Sequence, residues 1–345
     1  MSRIDREKFR PFLICPEEGD LLSQAADLKI ETEVIPVPSI RLWTISTTIR
    51  TLSRLLTYIA EKDIKVIHTD DARQVLYLGI LRLFRKFKIV WHVRVSWRNV
   101  IVDGICYRLS DRIICTAGKI LKKFIGMKDF KKKAKLIYNA VDCDYFRPRA
   151  VSDGLKDKYG ISGEGPVIGF IARLQDVKGL HFLIKALPAI KQEYPNIKLI
   201  VIGDGEENYK RKIQTMIDGL NLREDVIFTG FQRDIRPYAC MLDISVLPTK
   251  EFEGSSRSIL ESMACGIAVL ATDIGGNSEL IDNGVTGLLI PEPDPRLIAD
   301  MTISLLRDKD RLADMGSRAR EKALSKFEIS KNVRLTEEIY EELVN

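Results

Sequence analysis

Two cations stand five residues apart, directly after an apolar run in the second half of the chain. Arg173 follows the run Val167–Ile171, and Lys178 precedes Gly179, where a helix is expected to begin. Guanidinium, ammonium and free helix N–H groups all favour negative charge, so this pair suits a diphosphate. Taken alone, an arginine and a lysine at this spacing are more typical of surface cations near a turn.

Two glutamates stand eight residues apart in the segment EFEGSSRSILESMACG. Ser255 or Ser256 is expected to cap a helix that ends at Gly266, which places Glu253 on the entering loop and Glu261 on the helix. A carboxylate accepts hydrogen bonds from sugar hydroxyls, and a small open turn before the helix lets backbone N–H groups approach phosphate oxygens. The alternative is an ordinary helix start that acidic residues stabilise.

Three further patterns are less specific. A Gly275-Gly276 turn precedes another predicted helix. Either the N-terminus of that helix faces the site, or the turn and helix are part of the scaffold. Gly203-Asp204-Gly205 lacks the third glycine of a dinucleotide-binding loop, so a nicotinamide enzyme is not expected. Asp142-Cys143-Asp144 has the spacing of a metal–nucleotide signature but not its strand context, so no metal site is predicted there.

Apolar runs that favour β-structure recur through both halves and alternate with stretches of helical periodicity. Such runs, bounded by Gly and Pro, are typical of parallel sheets covered on both faces. The predicted fold is therefore α/β, with two doubly wound Rossmann-like domains in tandem that face each other across a ligand-binding cleft. The seam is expected between 147 and 165. The predicted strands are 12–15, 34–37, 66–68, 89–92, 112–115 and 136–138, then 167–171, 199–202, 226–228, 244–247, 268–270 and 287–290.

Length and composition exclude several classes of protein. With 345 residues, 45% of them hydrophobic, the chain is long enough for two domains with real cores. The six cysteines include no CxxC pair, which argues against a zinc cluster or a disulfide framework. The longest stretch free of charge, 262–272, is far short of the ~20 residues of a membrane-spanning helix. The first 15 residues carry no apolar block, so a secretory signal is not expected and the predicted location is the cytoplasm.

Charge is divided unevenly along the chain. Residues 1–150 carry 29 basic and 17 acidic side chains, whereas the remaining residues carry 25 and 31. Sixteen of the basic residues lie between Arg82 and Lys135. Such a block can be a solvated face, a surface for anionic lipid headgroups or an acidic acceptor, or a nucleic-acid footprint. No recognised nucleic-acid motif accompanies it, so nucleic acid is not the expected partner.

Read in order, GFIARLxxxKG, IGDGEE at 202–207, the two glutamates, the glycine pair and SELI resemble the donor domain of retaining GT-B glycosyltransferases of family 4. The resemblance covers about residues 60–345 and is strongest from 167 to 295. It implies that Arg173 and Lys178 clamp the diphosphate, that Glu253 faces the transferred sugar and that Glu261 holds the ribose. Further donor-binding positions implied by the resemblance are Gly254, Ser255, Ser256 and Arg257 near the sugar and phosphates, and Phe231, Arg233 and Ile235 near the base.

The first half resembles the family in VIHTDD, IVWHVR and LIYNAVDCDYF. His92 matches the histidine that lies near the anomeric centre, although a lone histidine after a buried strand is more often structural. His68 and Asp70, at another strand end, are expected on the acceptor side, and Arg94 and Arg98 are candidates for contact with an anionic acceptor. The family's first strand and glycine-rich loop have no counterpart after Met1, so the neighbouring strands are expected to be unpaired or to pair differently.

The resemblance implies the following function. Domain 1, residues 1–150 with a last helix 325–345 that crosses back to it, takes the acceptor, and domain 2, residues 151–324, takes a UDP-, GDP- or ADP-sugar. A hexose-type sugar then passes to a hydroxyl of a polysaccharide or lipid-linked glycan, without a cofactor or metal, at the inner face of the cell membrane. The alternative is a catalytically impaired protein that binds nucleotide sugars, favoured by the missing first strand.

Overall fold

The structure is a computed structural model that describes residues 2–39, 41–94, 99–151, 153–161, 165–251 and 253–345. It divides into two compact units: unit 1 comprises Met1–Cys115, Leu121–Ile137 and Val333–Asn345, and unit 2 comprises Thr116–Ile120 and Tyr138–Asn332. Across the described ranges, every helix is too short or too polar to span a bilayer.

Strands and helices alternate along the chain, as the pattern of apolar runs predicts. The strands are β1 Phe12–Cys15, β2 Glu31–Val34, β3 Val66–Thr69, β4 Lys88–Val93, β5 Arg112–Cys115, β6 Ala134–Leu136, β7 Val167–Ile171, β8 Lys198–Ile202, β9 Val226–Gly230, β10 Ile244–Leu247, β11 Ala268–Thr272 and β12 Gly287–Ile290. The helices are α1 Asp20–Asp27, α2 Ile45–Glu61, α3 Ala72–Leu81, α4 Val100–Leu109, α5 Gly118–Leu121, α6 Phe130–Lys133, α7 Asp153–Lys158, α8 Leu180–Glu193, α9 Glu207–Gly219, α10 Arg236–Ala239, α11 Arg257–Ala264, α12 Asn277–Leu280, α13 Pro295–Arg307, α14 Lys309–Lys326 and α15 Ile329–Val344.

Unit 1 contains two parallel sheets instead of one. Strands β3-β4-β5-β6 form a four-stranded sheet, and β1 and β2 pair only with each other, so no strand of the described residues joins the two sheets. Phe12 and Ile14 of β1 and Ile67 of β3 nevertheless pack against the same hydrophobic core. This is the arrangement expected where a doubly wound sheet lacks its central strand.

Two predicted strands of unit 1 are displaced. The second strand is Glu31–Val34 and not 34–37, because Pro36 and Pro38 lack the N–H that continued pairing requires. The sixth strand is Ala134–Leu136 and not 136–138, and it begins directly after helix α6.

Unit 2 is a six-stranded parallel sheet in the order β12-β11-β10-β7-β8-β9. The chain winds outward from β7 to β9 and then returns to the other side of β7 with β10, so the direction of winding reverses between β7 and β10. Every residue of β7, β10 and β11 is buried, which explains why these strands are mainly apolar. Both units are Rossmann-like, as predicted.

Residues 138–150 lie in unit 2, because Val141 pairs with Glu328 and Cys143 packs in the core of that unit. The predicted domain boundary at 150 stays a prediction. The predicted last helix 325–345 is also two elements. α14 ends at Lys326, and of α15 only the part from Val333 belongs to unit 1.

Candidate active site

Lys178 and Glu253 follow the two strands between which the winding of unit 2 reverses. Lys178 lies in the 3₁₀ turn Asp176–Lys178 after β7, and Glu253 lies in the loop after β10. Lys178 Nζ donates to Glu253 Oε2 at 2.6 Å, and both side chains are largely shielded from solvent. The crevice at such a reversal is where doubly wound sheets bind ligands. The structure thus brings together the cation expected at the diphosphate and the carboxylate expected at the sugar.

Arg173 is exposed at the carboxyl end of β7, on a loop that glycines hold from one side. A Cβ at Gly203 would overlap the carbonyl oxygen of Ala172, and a Cβ at Gly205 would overlap that of Leu174, the two residues that flank Arg173. Leu174 N donates to Asp204 O at 2.9 Å, which ties the two strand-end loops together. The GxG pattern therefore serves close backbone packing beneath Arg173.

The turn that carries Lys178 is fixed by a second set of contacts. Gly179 has φ 79°, and a Cβ there would overlap the carbonyl oxygen of the first residue after β10. Asp176 Oδ1 accepts from Lys212 Nζ at 2.8 Å and Oδ2 from Lys250 Nζ at 2.7 Å. These two ammonium groups hold the pKa of Asp176 well below its usual range. The turn after β7 is thereby anchored to the segment after β10.

The loop that carries Glu253 rests on the glycine pair. Gly275 has φ 60°, and a Cβ on it would overlap the carbonyl oxygen of Glu253, while a Cβ on Gly276 would crowd that of Gly254. Gly276 N also donates to Gly254 O at 2.8 Å, and Thr249 Oγ1 donates to Glu253 Oε2 at 3.4 Å. Of the two interpretations left open for the glycine pair, scaffold is supported, because α12 has only four residues and the pair holds the Glu253 loop.

The predicted helix start at 255–256 is correct in position, but not in its bonding. Ser256 is the N-cap of α11, yet its hydroxyl lies 3.1 Å from Ser258 Oγ and caps no backbone N–H. Ser255 Oγ is buried without a hydrogen-bond partner among the described residues, while Ser255 O accepts from Asn139 Nδ2 at 2.5 Å. Gly266, with φ 77°, ends the helix as predicted.

Glu261 lies on α11 in a surrounding that favours its protonated form. Burial raises the pKa of Glu261 to about 7, and the opposing effect of the Arg257 guanidinium is smaller. Arg257 itself is exposed at the first position of the helix. A carboxyl group that is half protonated near neutral pH can both donate to and accept from hydroxyl groups.

The segment after β9 presents an aromatic ring to solvent. Phe231 is 66% exposed, whereas Ile235 packs against a hydrophobic cluster of unit 2. Arg233 is exposed. Asp234 accepts from Arg236 in a bidentate pair, with both distances 2.6 Å, which fixes the end of the segment. The predicted contact of this segment with a base remains a prediction.

In unit 1, His68 and His92 stand at the carboxyl ends of β3 and β4. His68 Nε2 lies 3.0 Å from His92 Nδ1, and His68 Nδ1 lies 2.5 Å from the hydroxyl of Tyr340 on α15. Burial is the main cause that lowers the pKa of His68 to about 4 and that of His92 to about 2, and the Arg94 charge adds to it. Both rings are therefore neutral at pH 7.

Asp70 and Arg94 form an ion pair beside these histidines, with Nε and Oδ2 3.0 Å apart. Four of the five residues expected in unit 1 thus lie at the ends of two adjacent strands. Arg98 lies outside the described residues. The carboxylate of Asp70 is a partner of Arg94, a contact that the sequence interpretation did not include.

The Asp142-Cys143-Asp144 pattern has a structural role. Asp142 Oδ1 accepts from the backbone N–H groups of Asp144 and Tyr145 at 3.2 and 3.0 Å, and the Cys143 side chain is buried. Within the part of the chain that the structure describes, no three His, Cys, Asp or Glu side chains cluster as metal ligands do.

Sequence reasoning missed Asp176, Tyr340 and Glu279. Asp176 holds the turn of Lys178, and its acidic side chain two residues before that lysine was the available signal. Tyr340 lies 272 residues after His68, so no local pattern could indicate their contact. Glu279 accepts from Gly118 N at 2.7 Å and Lys119 N at 3.1 Å, which joins the short segment 116–120 to unit 2.

Two family models match the chain, and together they cover most of it. The model described as Glycosyl transferases group 1 matches residues 152–322, and the model described as Glycosyltransferase Family 4 matches residues 2–145. The first match contains the Lys178–Glu253 pair, and the second contains the His68–His92 pair.

The chain is similar in sequence to curated bacterial proteins. The chain is 31% identical over 245 residues to N-acetyl-alpha-D-glucosaminyl L-malate synthase of Bacillus anthracis, covering 71% of this chain and 62% of that protein, less than two thirds of its length. It is 27% identical over 360 aligned positions to Spore coat protein SA of Bacillus subtilis strain 168, covering 86% of this chain and 94% of that protein.

Among solved structures, Anabaena Alr3699/HepE in complex with UDP-glucose shares the fold. The TM-score is 0.84 at 22% sequence identity, with 96% of this chain and 91% of that chain covered.

Proposed function

We propose that this chain, whose two halves match two glycosyltransferase family models, is a GT-B glycosyltransferase that moves a hexose-type sugar from a nucleotide diphosphate sugar to a hydroxyl group with retention of configuration. The donor is a UDP-, GDP- or ADP-sugar. The acceptor belongs to a cell-surface polysaccharide or a lipid-linked glycan, and domain 1 receives it while domain 2 holds the donor.

The Lys178–Glu253 pair is the observation that carries this proposal. A cation and a carboxylate 2.6 Å apart stand at the reversal of winding, on two loops that backbone contacts hold in place. Such rigid placement is typical of groups that must meet developing charge without reorganising. Because Lys178 has three N–H donors, it can keep Glu253 as one partner and contact a phosphate oxygen with another.

The chemistry follows from where charge develops. When the bond from the sugar to the diphosphate breaks, negative charge grows on the diphosphate oxygens. Arg173 and Lys178 stabilise this charge more than they stabilise the intact donor, which lowers the barrier. The two cations neutralise the leaving group, so the proposed reaction requires no metal. Glu253, held beside Lys178, faces the sugar, and the backbone at 254–256 and Arg257 border the sugar and phosphates.

The remaining donor contacts are proposed on the same basis. Glu261, which is half protonated near neutral pH, holds the ribose hydroxyls. The exposed ring of Phe231 stacks on the base, with Arg233 and Ile235 beside it. His92 contacts the sugar near its reacting carbon. His68, the Asp70–Arg94 pair and Arg98 lie on the acceptor side.

We further propose that unit 1 docks on an anionic membrane surface at the inner face of the membrane. Leu83 and Phe84 are 81% and 70% exposed and are followed directly by Arg85 and Lys86. Adjacent apolar and cationic side chains match the two parts of a lipid interface, since apolar groups enter the headgroup region and each cation contributes about 1 kcal/mol near anionic lipid.

One observation favours the second candidate, a protein that binds nucleotide sugars without transferring them. The division of unit 1 into two sheets leaves β1 and β3 each with an unpaired edge among the described residues. A less rigid unit 1 would leave donor binding by unit 2 intact but would impair the placement of an acceptor.

A panel of nucleotide sugars tests both candidates. Melting temperature is measured with UDP-, GDP- and ADP-sugars, since a ligand that binds only the native state raises it. Release of nucleotide diphosphate and the anomeric configuration of the product are then followed with and without a chelator. Transfer with retention, undiminished by the chelator, supports the proposal. Stabilisation without transfer or hydrolysis supports the second candidate, and no stabilisation by any nucleotide sugar contradicts both.

A further inference from the structure

Three polar side chains of unit 1 form a continuous chain of hydrogen bonds. His68 pairs in register with Val90, and His92 lies two residues further along β4, so the two rings point to the same face of the sheet. Ile339 and Leu343 of α15 cover that face, and Tyr340 stands between them in sequence. The chain of contacts runs from the Tyr340 hydroxyl to His68 Nδ1 and from His68 Nε2 to His92 Nδ1.

The neutral state of the three groups couples the direction of both bonds. Burial lowers the pKa of both imidazoles and raises that of Tyr340, so each ring carries one N–H and the phenol keeps its proton. If Tyr340 donates to His68, then His68 donates to His92, and the His92 proton is on Nε2. If His92 donates to His68, both bonds reverse, and His92 Nε2 is a bare acceptor.

The two directions differ in what they leave unpaired. His92 Nε2 is buried and has no hydrogen-bond partner among the described residues, and this holds in both directions. In the reversed direction the Tyr340 hydrogen also lacks an acceptor, because His68 is the partner that the described residues give that hydroxyl. Since unpaired buried polar groups are costly, the direction that starts at Tyr340 is favoured.

We propose that Tyr340 and His68 are positioning residues that hold His92 in the tautomer with its proton on Nε2, so that this buried N–H donates to an acceptor oxygen of the bound sugar nucleotide. The tautomer follows from the geometry of unit 1 alone. The ligand that receives the hydrogen bond rests on the proposed function.

The chain suits a direct measurement of the tautomer because it contains three histidines, His68, His92 and His181. With ¹⁵N-labelled histidine, long-range ¹H–¹⁵N correlation spectra distinguish protonated from bare ring nitrogens. We expect His92 to be protonated at Nε2 in the unmodified protein. In Tyr340→Phe the direction is no longer fixed, so His92 becomes a mixture of both tautomers.

A matched control and a double variant separate the relay from general damage. Tyr209 places its hydroxyl 3.0 Å from Nδ1 of the buried His181 in unit 2, so Tyr209→Phe removes a bond of the same kind and leaves the His92 signals unchanged. His68→Phe also frees the His92 tautomer. Adding Tyr340→Phe to His68→Phe has no further effect on His92, because Tyr340 acts through His68.

The outcomes distinguish the relay from the proposed function. A bare Nε2 on His92, or an unchanged tautomer in both Tyr340→Phe and His68→Phe, overturns the relay. If Tyr340→Phe does not fold, His68→Phe gives the same test. In a transfer assay with the donor found by the panel, Tyr340→Phe lowers kcat/KM about tenfold, the effect of one lost hydrogen bond. If the tautomer responds as expected and no nucleotide sugar binds, the relay stands and the proposed function fails.

Discussion

The two units hold their polar groups by different means. In unit 2, the loops of Arg173, Lys178 and Glu253 are held by backbone contacts that only glycine permits, and the sheet beneath them is continuous. In unit 1, His92 is held by His68 and Tyr340, and the sheet is divided in two. Backbone contacts hold a loop in place independently of its side-chain contacts. A chain of side-chain hydrogen bonds, in contrast, is interrupted when one hydroxyl is removed.

The sharpest test of the rigid charges in unit 2 is Lys178→Ala. We expect kcat for transfer to fall by about 10²- to 10³-fold, the loss typical of one preorganised group at developing charge. Arg307→Ala is the matched control, because Arg307 pairs with Glu193 at 2.6 Å on an exposed surface and should not affect turnover. Unchanged turnover in Lys178→Ala would contradict the proposal that Lys178 stabilises the diphosphate leaving group.

Glu261 gives unit 2 a pH dependence of known sign. Its pKa is about 7 in the folded protein against an ordinary 4.5, so the folded state binds the proton more tightly. The stability that this adds is present below pH 4.5 and is lost as the pH rises to 7, by about 3 kcal/mol. Urea unfolding at pH 5 and pH 8 measures the change, which Glu261→Gln should reduce. An equal change in the variant would assign the dependence to other groups.

Hydrogen exchange compares the two units directly. A two-stranded sheet opens more readily than a continuous six-stranded one, so we expect amides of residues 1–70 to exchange about 100-fold faster than those of 167–290. The measurement is native-state exchange followed by mass spectrometry. Uniform protection would show that the division of the sheet in unit 1 carries no cost in local stability.

A comparison of substitutions at two glycines of similar backbone conformation tests the contact between Gly275 and the Glu253 carbonyl. Gly275 has φ 60° and lies against the Glu253 carbonyl, whereas Gly284 has φ 79° and has open space where a Cβ would lie. We expect Gly275→Ala to lower the free energy of unfolding by about 2 kcal/mol more than Gly284→Ala, and to slow transfer as well. Equal effects in urea unfolding would mean that the loop tolerates a shift.

The smallest expected effect concerns the membrane docking proposed for unit 1. Binding to vesicles that contain phosphatidylglycerol should weaken about tenfold in Leu83→Ser/Phe84→Ser, because two apolar side chains no longer enter the interface. Val285→Ser, which changes an exposed apolar side chain of unit 2, should bind as the unmodified protein does. Equal sedimentation of both variants with vesicles would contradict docking through Leu83 and Phe84.

Local signals predicted much of unit 2. Its strands are mostly buried, and β7, β10 and β11 are buried throughout, so they appear as short, mainly apolar runs. Lys178, Glu253 and Gly266 lie within one turn of a strand or helix end. The helix N-cap at Ser256 follows from residue type, but the contact of its hydroxyl with Ser258 Oγ does not.

What could not be predicted depends on long-range contacts. The displacement of β2 to Glu31–Val34 follows from prolines that were visible, whereas the pairing of Asp70 with Arg94 and of Tyr340 with His68 requires knowledge of which strands and helices are neighbours. The role of Gly275 could not be predicted either, because it depends on the path of the loop that carries Glu253. The periodicity of apolar residues predicts helices and strands, but the contacts between distant side chains depend on how these elements pack.

The division of the chain into units has a consequence for synthesis on the ribosome. Unit 2 ends at Asn332, and unit 1 includes Val333–Asn345, so every residue of unit 2 emerges before unit 1 has all of its own. Domains usually fold in the order of their amino termini. Here the later-encoded unit can reach its native state first, and Tyr340 joins His68 only after every residue of unit 2 has been synthesised.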